Sequence, residues 1–351
     1  MENKNLCAVL KETEKICLEY RKVKQPLSNE VLVEIHFVGI CGSDIHFWKD
    51  GAIGKNKMTS PMMLGHELSG VVIEVGAEVT RLKRGDRVCI EPGVPCLKCD
   101  YCKGGRYNLC LSAKFCGTIK TEGMLRRYYC HNADFCFKLP DNVTLEEGAL
   151  VKPLSVAIHT CHRTRVRAGK SVLICGAGPI GLLHLLTCKA IGVTKICITD
   201  ICEKRLAAAK NLGVNGQICV NNKDLESIIK EVDSVLGGMP DITMECSGAE
   251  SGIKLSIKVT KSGGVVALVG LGASEMNLPI IEVVTKELDI QGIFRYANCY
   301  PTALEMLASG IVDLKSLITH HFRLEDTAKG FQVAQSGIDG AIKVLIQCKQ
   351  P

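Results

Sequence analysis

The chain lacks a long apolar run, a basic cluster and any internal repeat or low-complexity tract. A membrane-spanning helix needs roughly 18 or more consecutive apolar residues, and the longest candidate, residues 172–186, is broken by glycines and by His184. We therefore expect no membrane span. The 43 basic and 37 acidic residues leave a net charge of only +6, and without a Lys/Arg cluster we expect no nucleic-acid partner.

The amino terminus also lacks the apolar run of a secretory signal, because residues 1–20 carry charges throughout. We therefore expect a cytoplasmic protein whose thiols stay reduced. Cysteine, by contrast, is abundant, with 20 in 351 residues. Such cysteines pair, bind metal or pack as small apolar residues, and a reducing compartment disfavours the first of these roles.

Length and composition predict a folded protein of two domains, since 46% of the residues are apolar and 23% are charged. In residues 1–153, short runs such as 30–36, 70–75 and 86–90 alternate apolar and polar residues, which is typical of β-strands. We expect this first part to be β-rich.

After residue 170 the pattern changes to nearly all-apolar runs separated by helix-like segments, typical of strands buried on both faces of a parallel sheet. These runs are 172–175, 195–199, 242–246 and 265–269. We predict an α/β fold class with a doubly wound parallel sheet in residues 154–290. Helices are predicted at 301–309 and 324–335, and periodicity leaves open whether residues 291–351 form a third piece or return to the first domain.

The sharpest motif is a group of four cysteines within fifteen residues: Cys96, Cys99, Cys102 and Cys110. The two-residue spacers let neighbouring sulfurs converge on one ion, and four thiolates complete a tetrahedral zinc site, which excludes water and is structural. A disulfide cluster or chance spacing in a cysteine-rich chain would give the same pattern. A reducing compartment favours a zinc lobe at about residues 91–112.

A second motif, Gly176-x-Gly178-x-x-Gly181, joins a predicted strand to a predicted helix. Alone the motif is weak, but Asp200 follows nineteen residues after Gly181, at the end of the next strand. Glycines let the backbone approach a pyrophosphate, the helix amino terminus stabilises its charge, and the carboxylate accepts hydrogen bonds from ribose hydroxyls. A carboxylate there repels a 2′-phosphate, so the motif favours NAD over NADP.

The third feature is split along the chain. Cys41, His66 and Glu67 supply a thiolate, an imidazole and a carboxylate, a set able to hold zinc with one position open. Each residue is a weak signal alone, because such residues usually pack or cap. Ser43 and His46, two and five residues after Cys41, are candidates for passing a proton to solvent.

In this order, the three motifs resemble the zinc-dependent medium-chain dehydrogenases and, over the whole chain, the sorbitol (polyol) dehydrogenases. The matching segments are residues 38–46, 64–67, 138–143, 147–150, 153–155, 175–181 and 292–296. The resemblance implies a GroES-like catalytic domain in residues 1–153, completed by 291–351, and a Rossmann domain. It also implies homo-oligomers, usually tetramers, and reversible oxidation of a polyol such as sorbitol or xylitol to the ketose with zinc and NAD.

The resemblance assigns roles to residues by position. Cys41, His66 and Glu67 match catalytic zinc ligands, and the four clustered cysteines match structural zinc ligands. Matches to cofactor contacts are the motif glycines with Ile180, Asp200, Arg205, Val269, Gly270, Leu271, Ile293, Phe294 and Arg295. Arg295 and Tyr296 match residues that line the substrate site. From its position five residues after Asp200, Arg205 could hold the adenosine side of the cofactor, and an ordinary surface arginine on a helix explains it nearly as well.

Three changes around the expected substrate site depart from the family. Lys152 replaces a glutamate beside the catalytic zinc, where charges of +2 and +1 about 5 Å apart repel by roughly 6–7 kcal/mol at an effective dielectric constant near 20. Phe47 replaces a tyrosine, and the loop 119–124 after Phe115 has changed chemistry. Together these changes indicate a shifted substrate or relaxed selection on catalysis.

The sequence leaves three hypotheses for the function. The first is a zinc- and NAD-dependent oxidoreductase acting on a small polyol or ketose. The second is a weakly active or non-catalytic dinucleotide-binding protein that keeps the structural zinc but has an impaired catalytic metal centre. The third is a related dehydrogenase for another secondary alcohol.

Overall fold

Residues 4–350 are described by a computed structural model. They divide into two units, the first containing residues up to Lys152 and from Tyr300 onward, the second containing Pro153–Cys299.

The strands are β1 (Lys4–Glu12), β2 (Lys15–Lys22), β3 (Glu30–Gly39), β4 (Ala52–Ile53), β5 (Asn56–Lys57), β6 (Leu68–Val75), β7 (Arg87–Ile90), β8 (Gly93–Val94), β9 (Lys114–Phe115), β10 (Tyr128–Asn132), β11 (Cys136–Lys138), β12 (Ser171–Cys175), β13 (Lys195–Asp200), β14 (Gly216–Cys219), β15 (Ile242–Glu245), β16 (Val265–Leu268), β17 (Asp289–Gly292), β18 (Ile318–Arg323) and β19 (Lys343–Gln347). The helices are α1 (Gly42–Asp50), α2 (Asp100–Lys103), α3 (Leu145–Ala149), α4 (Val151–Arg163), α5 (Pro179–Ala190), α6 (Glu203–Asn211), α7 (Leu225–Leu236), α8 (Glu250–Val259), α9 (Ile280–Thr285), α10 (Tyr300–Ala308) and α11 (Thr327–Ser336).

A seven-stranded mixed sheet organises the first unit, in the order β11-β7-β6-β3-β19-β18, with β10 also paired to β3. Neighbouring strands are antiparallel except β18 and β19. Val33 and Ile35 on β3 are fully buried and pack with Leu68 of β6 in one apolar core. The strands predicted at 30–36, 70–75 and 86–90 are therefore present as β3, β6 and β7.

The carboxyl-terminal part of the chain completes this sheet. Strand β19 pairs with β3, with Leu345 opposite Gly39, and helix α11 packs on β18 and β19. A β3 edge left without β19 would expose backbone hydrogen-bonding groups. The structure thus answers the question that periodicity left open, because this segment joins the first unit.

The second unit is built on six parallel strands in the order β14-β13-β12-β15-β16-β17. Numbered within the unit, this is the doubly wound order 3-2-1-4-5-6. Val172, Leu173 and Ile174 on the central β12 are fully buried, as expected for a strand covered on both faces. Because β17 pairs with β16, the unit extends to Cys299 and not only to residue 290 as predicted.

The strand order reverses between β12 and β15. Their carboxyl ends are joined by a hydrogen bond in which the amide of Cys246 donates to the carbonyl of Cys175 at 2.8 Å. Ligands of doubly wound sheets bind outside the carboxyl ends at such a reversal. The glycine motif begins at this edge, immediately after β12.

Candidate metal centres and dinucleotide site

Cys41, His66 and Glu67 come together in the first unit, with their ligand atoms all within 4.8 Å of one another. Cys41 precedes α1, and His66 and Glu67 precede β6. The amide of Gly39 donates to the carbonyl of Glu67 at 2.7 Å, extending the β3–β6 pairing so that the two segments meet. The structure therefore assembles a donor set that sequence spacing alone could not.

Asp44, which the sequence analysis did not single out, holds this cluster in place. Its carboxylate accepts hydrogen bonds from the amides of Cys41 at 3.0 Å and Gly65 at 3.1 Å. It also lies 3.3 Å from Nδ1 of His66, an ion-pair contact that leaves Nε2 on the Cys41 side. Burial alone would lower the pKa of His66, but the Asp44 charge raises it to about 9.

Two lysines surround the carboxylate of Glu67, which is fully buried. Nζ of Lys343 donates to Oε2 of Glu67 at 2.7 Å and to the carbonyl of Ile40 at 3.0 Å. Nζ of Lys152 lies 3.6 Å from Oε1 of Glu67 and 4.0 Å from Sγ of Cys41. No sequence signal marked Lys343, which reaches the cluster from a distant strand.

These charges set the ionisation of the cluster. Burial would raise the pKa of Glu67, but Lys343 and Lys152 lower it. Burial would likewise raise the pKa of the Cys41 thiol, and the charge of Lys152 outweighs this and lowers it. The pKa of Lys152 is raised by Cys41 and Glu67 despite its burial, so the ammonium form is favoured.

The donor chemistry fits a zinc ion, which binds thiolate, imidazole and carboxylate groups. Lys152 opposes that ion because its ammonium already contacts two of the three donors. At an effective dielectric constant near 20, the repulsion is on the order of several kcal/mol. Three groups able to bind zinc are thus present together with a competing internal cation.

Four further predicted residues lie near this cluster or on α1. Oγ of Ser43 donates to Sγ of Cys41 at 3.3 Å and lies 3.4 Å from Nε2 of His66. The ring of Phe115 is 5.7 Å from that of His66. His46 lies toward the surface, 3.3 Å from Asp50. Phe47 lies on the buried face of α1, in the apolar core of the unit, and its role as a substrate contact stays a prediction.

The four-cysteine lobe has the geometry of a tetrahedral metal site. The sulfurs of Cys96, Cys99, Cys102 and Cys110 lie within 4.8 Å of one another, with 3.5 Å between Cys99 and Cys102 and 4.0 Å between Cys96 and Cys102. Zn–S bonds of about 2.3 Å in a tetrahedron place sulfurs about 3.8 Å apart. All 20 cysteines are free thiols, so the disulfide alternative finds no support.

The lobe is attached to the first unit at its base. Strands β8 and β9 pair across its two ends, with Gly93 opposite Phe115. The hydroxyl of Tyr107 donates to Oε1 of the buried Glu91 at 2.8 Å. Because Phe115 also contacts the His66 ring, the base of the lobe borders the Cys41 cluster.

In the second unit the glycine motif forms an open turn between β12 and α5. Gly176 has φ of 100°, a left-handed conformation that favours glycine. A Cβ at Gly181 would collide with the carbonyl oxygen of Gly176, whereas a Cβ at Gly178 would meet nothing within 4 Å. The amino terminus of α5 therefore has the open backbone that a pyrophosphate requires, and Ile180 lies in its first turn.

Asp200 ends β13 beside this turn. Its carboxylate accepts hydrogen bonds from the amides of Ala177 at 2.7 Å and Cys202 at 2.8 Å, so it links the motif to the next helix. Arg205 lies on α6, partly exposed. The acidic residue at the end of the second strand is the group that contacts ribose in this fold.

The remaining predicted cofactor residues follow β16 and β17. The amides of Val269 and Gly270 both donate to the carbonyl of Glu245 at 2.9 Å. A Cβ at Gly270 would collide with the backbone of Gly248. Leu271 is exposed. These contacts place the 269–271 turn at the carboxyl edge of the sheet, beside β15.

Residues 293–296 form a second turn, after β17. Ile293 donates its amide to the carbonyl of Leu268 at 3.0 Å. The guanidinium of Arg295 lies 4.7 Å from the centre of the Phe294 ring, while Tyr296 is buried. Arg295 has φ of 55°, an uncommon conformation for this residue type.

Comparison with known proteins identifies the class. Residues 27–141 match the alcohol dehydrogenase GroES-like domain, and residues 179–309 match the zinc-binding dehydrogenase family. Together with the fold and the donor clusters, these matches define a zinc-dependent medium-chain dehydrogenase. The predicted GroES-like plus Rossmann fold class is confirmed.

The chain is 47% identical to sorbitol dehydrogenase from Bos taurus over 98% of this chain and 96% of that protein. It belongs to the sorbitol dehydrogenase family. An oxidoreductase/dehydrogenase of unknown specificity from Escherichia coli superposes with a TM-score of 0.93 at 36% identity, covering 99% of this chain and 100% of that chain. A zinc-binding dehydrogenase from Sinorhizobium meliloti, bound to NADP, gives a TM-score of 0.90 at 25% identity, covering 99% and 100%.

These findings confirm that the protein is an oxidoreductase of a family that uses zinc and a nicotinamide cofactor. The hypothesis of a dinucleotide-binding protein without a working metal centre is not favoured. Among residues 4–350, no helix has the length and apolar character that a membrane crossing needs.

Proposed function

We propose that this protein oxidises a polyol such as sorbitol or xylitol reversibly to the ketose, with NAD as the hydride acceptor. The observation that carries the proposal is the convergence of Cys41, His66 and Glu67 in a chain nearly half identical to sorbitol dehydrogenases across its length.

Cys41, His66 and Glu67 would hold the catalytic zinc, and the four lobe cysteines would hold a structural zinc. In the first site these residues would place zinc where it can supply Lewis-acid chemistry, polarising an alcohol oxygen and lowering the pKa of the alcohol. Asp44 fixes the orientation of the imidazole through Nδ1, as carboxylates do for zinc-bound histidines. Lys343 holds Glu67 from the opposite side, which keeps the carboxylate ionised.

Ser43 and His46 would carry the proton away from the alcohol. The hydroxyl of Ser43 lies against Cys41 and His66, at the inner end of α1. His46, one turn further along the same helix, reaches the surface beside Asp50. The Ser43 hydroxyl beside the Cys41 cluster and the His46 imidazole at the surface would form the two ends of a proton relay.

NAD would bind along the carboxyl edge of the parallel sheet. The backbone at Gly178 is open enough to contact the pyrophosphate, and the carboxylate of Asp200 would accept hydrogen bonds from the ribose hydroxyls. The negative charge of Asp200 disfavours the 2′-phosphate of NADP. Arg205 and the turns 269–271 and 293–295 supply the other predicted cofactor contacts. The candidates for substrate contacts are Phe47, Phe115, Lys152, Arg295 and Tyr296.

A second copy of the chain is the partner that best fits one face of the second unit. Strand β17 is an edge of the parallel sheet, and Ile281, Val284 and Ile290 on α9 and β17 are exposed. An apolar edge of this kind is a pairing surface, which supports a homo-oligomer, and the resemblance to the family favours a tetramer. The 20 free thiols support a reducing, cytoplasmic location.

Zinc content and activity of the purified full-length chain test the proposal. We expect two zinc ions per chain by mass spectrometry and NAD-dependent oxidation of at least one of sorbitol, xylitol and related polyols. Cys41→Ser is expected to lose one zinc and all activity, whereas Cys17→Ser, outside both clusters, keeps both zinc ions.

A chain with a single zinc that reduces no NAD with any polyol would contradict this function. Activity confined to simple secondary alcohols would instead assign the chain to another dehydrogenase substrate class. The β17 edge is tested by size-exclusion chromatography with light scattering of the native chain and of Ile281→Glu. Because the variant places a charge on the proposed contact surface, we expect an oligomer for the native chain and a monomer for the variant.

A further inference from the structure

The two lysines that contact the carboxylate of Glu67 are not equally well bonded. Nζ of Lys343 donates to Oε2 of Glu67 at 2.7 Å and to the carbonyl of Ile40 at 3.0 Å. Nζ of Lys152 lies 3.6 Å from Oε1 of Glu67, too far for a hydrogen bond, and 4.0 Å from Sγ of Cys41. Among the described residues, 4–350, this ammonium makes no hydrogen bond to an oxygen atom. Since a lysine has three donors, Lys152 is under-bonded.

Both contacts of Lys152 are with proposed zinc ligands. Oε1 of Glu67 is buried without a hydrogen-bond partner, and it is the oxygen left to a metal because Oε2 is bonded to Lys343. Sγ of Cys41 belongs to the same donor set. Loading of the site with zinc would therefore withdraw both contacts from Lys152. A buried cation without a partner is costly, so Lys152 then needs another anion.

The third negative side chain that acts on Lys152, Asp44, cannot take this place. Its carboxylate accepts hydrogen bonds from the amides of Cys41 and Gly65 and lies 3.3 Å from Nδ1 of His66. Asp44 is thus already bonded to the groups that shape the cluster. The anion that pairs with Lys152 in the loaded site has to come from a ligand.

The charge balance of the loaded cluster indicates how negative this ligand is. Cys41 binds a metal as thiolate and His66 as neutral imidazole, so Cys41, Asp44 and Glu67 contribute three negative charges. Lys152 and Lys343 contribute two positive charges, and a divalent ion raises the total to about +1. One carboxylate neutralises this charge, whereas a phosphate monoester carries about −1.5 to −2 at neutral pH. The balance favours a carboxylate.

The cluster has an open side at Cys41. Cys41 and Ser43 are partly exposed and Gly42 is exposed. The side chain of Lys152 is 9% exposed, whereas that of Glu67 is fully covered. Because Nζ of Lys152 lies within 4.0 Å of the Cys41 sulfur, a carboxylate paired with it would lie beside an alcohol held at this cluster. This placement favours a carboxylate on the carbon next to the alcohol.

We propose that Lys152 selects a polyol that carries a carboxylate, a 2-hydroxy acid of the aldonate class, over an uncharged polyol. The ammonium of Lys152 pairs with the carboxylate. The neighbouring alcohol carbon gives a hydride to NAD, and the hydroxyl proton leaves to solvent: R–CHOH–COO⁻ + NAD⁺ → R–CO–COO⁻ + NADH + H⁺. This inference rests on the proposed polyol oxidation and specifies its substrate class.

Gluconate and sorbitol are matched probes, because they differ only at the terminal carbon, which is a carboxylate in gluconate and a hydroxymethyl group in sorbitol. With the zinc-loaded full-length chain and NAD, we expect kcat/KM for gluconate to exceed that for sorbitol about tenfold or more. Lys152→Met, which removes the charge, is expected to lower kcat/KM for gluconate about tenfold without lowering that for sorbitol. Lys49→Met, at an exposed position of α1, is the matched control and should leave both values unchanged.

Binding without turnover gives a second readout. The zinc-loaded chain saturated with NADH, which cannot oxidise gluconate, is titrated with gluconate by isothermal titration calorimetry. We expect saturable binding, with a Kd about tenfold higher for Lys152→Met than for the native chain. A Kd that this variant leaves unchanged would overturn the role of Lys152.

The outcomes separate this inference from the proposed function. Oxidation of sorbitol as efficient as that of gluconate would overturn the inference and leave the proposed function in place. A preference for sorbitol 6-phosphate over gluconate would overturn the choice of a carboxylate. If neither gluconate nor sorbitol is oxidised but gluconate binds in a Lys152-dependent manner, the proposed function fails, whereas selection of the carboxylate by Lys152 is supported.

Discussion

Nζ of Lys343 lies 2.7 Å from Oε2 of Glu67, and both side chains are buried. The two residues are separated by 276 positions in sequence and meet because β19 pairs with β3, the strand that precedes Cys41. The carboxyl-terminal strand thus supplies a positively charged side chain, Lys343, to the cluster of Cys41, His66 and Glu67. This ion pair links the stability of the first unit to the ionisation of a proposed zinc ligand.

Lys343→Met is expected to destabilise the protein by about 3 kcal/mol, because it leaves a buried carboxylate with only the more distant Lys152. Urea unfolding followed by circular dichroism measures the loss. Lys329→Met, which breaks an exposed pair with Asp326, is the control and should change the free energy of unfolding by less than about 1 kcal/mol. If both substitutions change the free energy of unfolding by the same amount, the buried Lys343–Glu67 pair does not stabilise the protein as expected.

Lys152→Glu is expected to strengthen zinc binding at the Cys41 cluster roughly a hundredfold, about 3 kcal/mol, because it replaces a repulsive charge by an attractive one. Competition with a chelator, followed by zinc release, measures this affinity. The four-cysteine lobe in the same chain is the internal control, and Lys49→Glu, at an exposed position of α1, is the matched variant. Unchanged zinc affinity would show that Lys152 turns away when the metal binds.

Glu91 gives the protein a pH-dependent stability. Burial raises the pKa of its carboxyl to about 7, above its value of about 4.5 in the unfolded chain. Between these values the folded state holds a proton that the unfolded state has released, so this stabilisation is complete below about pH 4.5 and is lost as pH rises to 7.

Glu91→Gln removes this titration while keeping an acceptor for Tyr107. The native chain is expected to lose about 3 kcal/mol relative to the variant between pH 4.5 and 8. Urea unfolding of both proteins across that range measures the difference. Buried His131, whose pKa is lowered to about 4 by burial, is present in both and cancels. Parallel stability profiles would contradict the raised pKa.

Asp200→Asn tests cofactor choice. The amide keeps an acceptor for the Ala177 backbone but removes the charge that disfavours a 2′-phosphate. The ratio of kcat/KM with NAD to that with NADP is expected to fall about tenfold or more, which corresponds to about 1.4 kcal/mol. Glu203→Gln, at the exposed start of α6, should leave the ratio unchanged. If Asp200→Asn leaves this ratio unchanged, Asp200 does not select between NAD and NADP.

Local patterns predicted much of this molecule correctly. The apolar runs became β12, β13, β15 and β16 because strands covered on both faces need continuous apolar sequence. The helices predicted at 301–309 and 324–335 are α10 and α11. The clustering of the four lobe cysteines followed from their spacing of only a few residues, and the glycine turn followed from a motif that spans one strand-to-helix connection.

Other features could not be predicted from local patterns. The burial of Phe47 together with Trp48 on one side of α1 followed from no local pattern, because the helix is too short to show a clear apolar face. Asp44 carried no signal of its own, since an acidic residue in a first helical turn is common. The end of the second unit was placed too early because β17, with both Asp289 and Gln291, is not an apolar run.

By itself, the sequence determined the two fold types, the clustering of the four lobe cysteines and the strand-turn-helix of the glycine motif, because each depends on spacing within a short segment. Only the tertiary structure decided which charges surround Glu67, since Lys152 and Lys343 come from distant segments joined by strand pairing. Charge balance in a buried site is a property of packing, and no local pattern records it.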